Sequence, residues 1–184
     1  QRPLDLAVPA GDLLNVMAEA GRRAGSAVRD LMAADPDPDG GTTLTAMLWS
    51  GSQLGLVHIG DSRAYLLRDD ELFRITHDHT VVQAMVDEGK LTEDEVATHP
   101  QRMLLLHALG TGVEPDVQLR DVRAGDRYLL CSDGLHRVLR DATLREVLGS
   151  VAEPEDAVGH LVELANQEGG PDNVSCVIVD IEQR

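Results

Sequence analysis

Residues 42–75 break into four short runs rich in Val, Leu, Ile and Thr, at 42–49, 53–59, 63–68 and 71–75. Gly, Ser or Asp separates each run from the next, the signature of strands joined by turns. Asp69-Asp70 between the last two reads as a tight hairpin turn, although it lacks the glycine that usually marks one. Two further strands are expected at 117–122 and 127–132, around Ala124-Gly125-Asp126, and a last one at 174–181. Helices come in blocks around these strands. Apolar residues at Leu13, Val16, Met17, Ala20, Ala24, Val28 and Leu31 recur every three or four positions, so 12–34 is an amphipathic helix with Asp12 as N-cap. Val81, Val82, Met85 and Val86 form a second stripe ended by Gly89, and Thr92 with Glu95 is a capping box opening a third helix. A further helical piece is expected at 104–109. Asp141 should cap a helix through Leu144 and Leu148, and Pro154 should open one that Gly169-Gly170 stops. Strands and helices in blocks make an α+β layered fold, not an alternating one.

The length of 184 residues suits a single domain, 1–184, and the core must be aliphatic, since the chain has one Trp, two Tyr and one Phe. Asp and Glu number 32 against 16 Lys and Arg, a net charge of -16. Neutralising phosphates requires clustered basic residues, so nucleic acid is excluded as a partner. No apolar run is long enough for a membrane segment, and no signal peptide is visible. Cys131 and Cys176 sit in strand-like runs, which suggests a reducing compartment and a cytoplasmic protein, with a bridge between them left open. The absence of an initiating Met suggests a natural chain that begins further upstream.

Asp35, Asp37, Asp39 and Gly40 imitate the start of an EF-hand calcium loop, but its twelfth position is Ala46 and prolines stiffen it. A solvated acidic loop is the better reading. Three other aspartates stand at the ends of apolar runs with glycine nearby: Asp61 after Gly60, Asp133 before Gly134, and Asp172 after Gly170. If they converged, their repulsion would call for a divalent cation, and hard carboxylate oxygens favour Mg2+ or Mn2+. Each could instead cap its own turn. The histidines at 77, 79, 99, 107 and 136 show no metal-ligand spacing. His136-Arg137, beside Asp133, is a cation pair that either touches a phosphate or, the better reading, offsets neighbouring acid. Neither Ser62 nor Ser132 lies in a nucleophile elbow.

Seven segments then follow in order: Gly-Thr-Thr at 41–43, Gly-Asp-Ser-Arg-Ala-Tyr at 60–65, Asp-His-Thr at 78–80, His-Pro-Gln-Arg at 99–102, Ala-Leu-Gly at 108–110, Ala-Gly-Asp-Arg-Tyr-Leu-Leu-Cys-Ser-Asp-Gly-Leu at 124–135 and Gly-Gly-Pro-Asp-Asn-Val at 169–174. The series resembles the bacterial, especially actinobacterial, branch of the metal-dependent serine/threonine protein phosphatases, the PPM or type 2C family. The likeness covers 12–182, with 1–11 as an N-terminal extension. It implies a sandwich of two antiparallel sheets with helices on both outer faces, and a cleft at one end. It also implies two to three Mn2+ or Mg2+ ions, with Asp133 and Asp172 as ligands of a two-metal centre and Asp61 joining Asp133 at a third ion. A metal-activated water would then hydrolyse phosphoserine or phosphothreonine in protein targets of a Ser/Thr kinase or in an anti-sigma-type regulator. Residues 81–103 would include a mobile flap, and 135–140 would lie near the cleft. The family's first strands and opening Asp-Gly ligands have no match between Gln1 and Asp39. A pseudophosphatase acting as a binding or regulatory module is therefore the rival reading.

Overall fold

The computed structural model describes residues 9–34 and 40–182. After a 3-10 turn at Ala10–Asp12 come α1 (Leu13–Ala33), β1 (Leu44–Ser50), β2 (Gln53–Ile59), β3 (Arg63–Arg68), β4 (Glu71–Arg74), α2 (Val81–Asp87) and α3 (Glu93–Val96). The second half holds β5 (Asp116–Asp121), β6 (Arg127–Cys131), α4 (Asp133–His136), α5 (Asp141–Ser150), α6 (Pro154–Gln167) and β7 (Cys176–Asp180). The chain forms two compact units, Gln1–Gly60 with His107–Arg123, and Asp61–Leu106 with Ala124–Arg184. No helix among the described residues is long and apolar enough to cross a membrane.

In the first unit β1, β2 and β5 form an antiparallel sheet with β2 in the middle. α1 lays its apolar face on it, burying Leu13 and Met17 with Val57. Close approach there needs a missing side chain. A Cβ at Gly55 would lie 2.8 Å from Met17 Cγ, so glycine lets the helix settle onto the strand.

The second unit holds a four-stranded antiparallel sheet in the order β4-β3-β6-β7. Tyr65, Leu129 and Cys131 from its strands bury against Leu135, Leu144, Leu148, Ala157 and Leu161 from α4, α5 and α6. Each fully buried Leu there contributes about 2 kcal/mol of transfer free energy. Asp69 and Asp70 take φ of 51° and 61°, the left-handed pair that a two-residue hairpin turn requires, here without glycine. Cys131 and Cys176 face each other in register, yet both thiols are free, and burial pushes that of Cys131 up to about 12.

Two antiparallel sheets flanked by helices agree with the expected fold class. Three local expectations change. Residues 104–109 are not helical: Leu105 bridges Thr80 and Leu109 bridges Thr42, so their backbone groups serve distant segments. Asp141 is the first residue of α5 instead of its cap, a place taken by Arg140. Asp133 does not end a strand, because Ser132 caps a one-turn helix, α4, that begins with it. The candidate calcium loop at Asp35, Asp37 and Asp39 lies outside the described residues.

Candidate functional site

Everything bearing on the site lies within the second unit. Asp61 opens the turn into β3, and its side chain is buried. One turn of α4 carries Asp133 at its start and His136 at its end, with Arg137 as the C-cap. Helical side chains lean toward the N-terminus, so Arg137 returns over the turn toward Asp133. Its Nη2 donates to Asp61 Oδ2 at 2.6 Å, while its Nε stands 3.4 Å from Asp133 Oδ2. The neighbouring His136 holds the backbone of the same aspartate, its Nε2 lying 2.8 Å from the Asp61 carbonyl oxygen. A carbonyl only accepts, so Nε2 carries the proton. Burial, reinforced by repulsion from Arg63, lowers the His136 pKa to about 4, which leaves the ring neutral at pH 7. The expected pair of cations is thus one guanidinium and one neutral imidazole, and Arg137 does offset neighbouring acid.

Burial pushes the Asp61 carboxyl above its usual range, against the pull of Arg137 and with the help of Asp133. Two carboxylates and one guanidinium therefore share this place. Asp172 is oriented differently. Its Oδ1 accepts from Asn173 N at 2.7 Å, closing its own turn. That turn nevertheless lies against α4: a Cβ at Gly134 would come 2.2 Å from Asn173 O. Ser132 N donates to Ser175 O at 2.9 Å and Ser132 Oγ accepts from Ser175 N at 3.0 Å, pinning the two segments together. So Asp61 and Asp133 meet through Arg137, and Asp172 sits on the adjoining loop. Among the described residues, no three His, Cys, Asp or Glu side chains are gathered as a ready cage for a metal ion.

Sequence reasoning missed the pair beneath. Arg63 Nε donates to Asp78 Oδ1 at 2.9 Å and Nη2 to Oδ2 at 2.7 Å, a bidentate bond, while Nη1 reaches Tyr65 Oη at 3.1 Å. Burial would raise the Asp78 carboxyl, but Arg63 outweighs it and holds the group below its usual value. Both residues stand inside motifs that were legible, Gly-Asp-Ser-Arg and Asp-His-Thr, but nothing local joins positions 15 residues apart. Two of the other histidines have local partners: His77 pairs with Asp87 at 2.8 Å and His99 Nδ1 accepts from Gln101 N.

The protein phosphatase 2C family model matches residues 6–85. Over 180 residues the chain is 52% identical to the serine/threonine protein phosphatase PstP of Mycobacterium tuberculosis, covering 97% of this chain and 35% of PstP. It thus spans about a third of the length of that curated relative. The crystal structure of M. tuberculosis PstP/Ppp superimposes with a TM-score of 0.91 at 50% identity, covering 98% of this chain and 77% of that one. The PstP catalytic domain in complex with 2 manganese ions gives 0.88 at 49% identity, covering 98% and 76%.

Proposed function

The chain belongs to the protein phosphatase 2C family, and on that premise we propose that it hydrolyses phosphoserine and phosphothreonine in proteins with the help of Mn2+ or Mg2+. The observation that carries this reading is the convergence of Asp61 and Asp133 on a single positive charge, with the Asp172 loop sealed against the turn that presents Asp133. The donor set fits a hard divalent cation in kind, since it consists of carboxylate oxygens. Asp133 and Asp172 would hold the ions of a two-metal centre, and Asp61 with Asp133 a further one. Bound ions would supply Lewis acidity, activating water and neutralising phosphoryl oxygens.

The chain's own residues keep these ligands in place. His136 fixes the Asp61 backbone, Gly134 admits the Asn173 carbonyl, and the Arg63–Asp78 pair anchors the start of β3 just beyond Asp61. Targets of a Ser/Thr kinase or an anti-sigma-type regulator, met in the cytoplasm, are the substrates this reading favours. The rival of a binding module without turnover draws no support from the relatives, which are named as phosphatases.

Release of phosphate from a phosphothreonine peptide, with and without Mn2+, tests the proposal. Turnover should require the metal and fall by about 100-fold or more in Asp133→Asn, because loss of a direct ligand should exceed the effect of losing an outer partner. Turnover without metal, undiminished turnover in the variant, or none at saturating Mn2+ would overturn it.

A further inference from the structure

Arg137 uses all three of its guanidinium nitrogens. Nη2 bonds Asp61, Nε faces Asp133, and Nη1 contacts the Met103 sulfur. Its side chain is 23% exposed, against 10% for that of Asp61 and 26% for that of Asp133, so the group is largely withdrawn from water. A planar fork held this way is pre-organised, and little further side-chain entropy is lost in making the Asp61 bond and the Asp133 contact. His136 fixes the backbone of the residue whose carboxylate Arg137 holds. Two consecutive residues at the end of α4 thereby lock one aspartate on the far side of the chain's order.

We propose that Arg137 is a built-in cation, holding the Asp61 and Asp133 carboxylates together and competing with a divalent ion for that pair. The identity of the competing ion rests on the phosphatase reading above; the pairing does not. A guanidinium and a divalent ion cannot lie between the same two oxygens, both for want of space and because their charges repel. Admitting the ion would require Arg137 to swing away from two carboxylates, and that lost interaction subtracts directly from the ion's affinity. The chain would therefore hold its carboxylate pair in order without metal, and fill that position only at high ion concentration.

Mn2+ binding, followed through the electron paramagnetic resonance signal of the free ion, tests this on the intact chain, Arg137→Gln, Arg137→Lys and the Arg137→Gln/Asp61→Asn double variant. Arg137→Gln should gain a Mn2+ site, or tighten one about tenfold or more, and the double variant should lose that gain. Lys carries its charge at a point and cannot fork to both carboxylates, so Arg137→Lys should fall between. Without metal, the melting midpoint of Arg137→Gln should drop by about 5 °C and recover as Mn2+ is added. Unchanged or weaker Mn2+ binding in Arg137→Gln would overturn the inference, as would a gain that survives Asp61→Asn. If Arg137→Gln is unfolded without metal, Arg137→Lys decides: Mn2+ binding no tighter than in the intact chain overturns it. None of these readouts is turnover. A failed phosphatase assay with binding as expected leaves Arg137 in this role, and Mn2+-dependent turnover with unaltered binding removes the role alone.

Discussion

In the first unit α1 sets Leu13 and Met17 onto the face of β2, and the buried polar residue there among the described residues is His58, whose Nδ1 lies 2.9 Å from Thr45 Oγ1. The second unit has the broader apolar core, running from Tyr65 to Ala165, yet among the described residues it also contains the buried carboxylates Asp61, Asp78 and Asp126. Each of these meets an arginine: Arg137, Arg63 and Arg68 respectively. Arg63 and Arg68 are the first and last residues of β3, so that strand is clamped at both ends. A buried ion pair adds little net stability compared with apolar packing, because desolvation offsets its attraction. What it adds is direction. The unit that must fix Asp61 at the mouth of β3 spends buried charge on the strand, whereas the unit without candidate ligands relies on aliphatic contact.

The sharpest way to break this comparison is to strip one partner from a clamp. Asp78→Ala leaves Arg63 buried and uncompensated, and should lower unfolding stability in urea by about 3–5 kcal/mol. Thr45→Val, which takes the hydroxyl from buried His58 in the first unit, should cost about 1 kcal/mol. Equal losses would show that buried polar groups carry the same weight in both units.

Acid provides the next largest effect. Arg63 holds the folded Asp78 carboxyl below its usual value, so the unfolded chain takes up that proton first as pH falls. Its contribution is therefore fully present above the unfolded pKa of about 3.9 and is lost as pH drops through the lower folded value. Urea midpoints taken from pH 6 to pH 2 should fall less steeply in Asp78→Asn, which has no carboxylate to protonate. An identical acid limb in both proteins would remove Asp78 from the account.

How far the sequence reached follows the same division between local and distant causes. β2 and β3 were legible to the residue, because each is a short apolar run bounded by glycine, serine or aspartate, and α6 was announced by Pro154 and the double glycine after it. Residues 104–109 misled because consecutive leucines resemble a helix face. Their true state is set by Val81 N donating to Leu104 O and Leu106 N donating to His79 O, partners that no window of sequence contains. α4 escaped for a different reason, since four residues are too few to show a period. Asp126 looked like an ordinary turn residue, but it is 2% exposed and bonds Arg68 and Tyr128 Oη. The carboxylates of the candidate site were visible in their motifs. Arg137 was expected to offset acid beside Asp133, but its bond to Asp61 was not legible, because pairing across 76 positions leaves no local trace.

The smallest expected effect compares two helix starts inside the second unit. Thr80 caps α2, its hydroxyl accepting from Gln83 N at 3.1 Å in a buried setting, whereas the capping box of α3, built from Thr92 and Glu95, is exposed. Water can replace a lost cap at the surface but not in the interior, so Thr80→Ala should cost about 1–2 kcal/mol and Thr92→Ala about 0.5 kcal/mol. The backbone bridge from Thr80 to Leu105 survives the substitution, which confines the loss to the first turn of α2. Hydrogen exchange at Gln83 should quicken while Leu106, bonded to His79, stays protected. If both amides quicken together, the cap and the 104–106 segment form one cooperative piece, and the anchoring of that segment depends on the Thr80 hydroxyl as well as on its backbone.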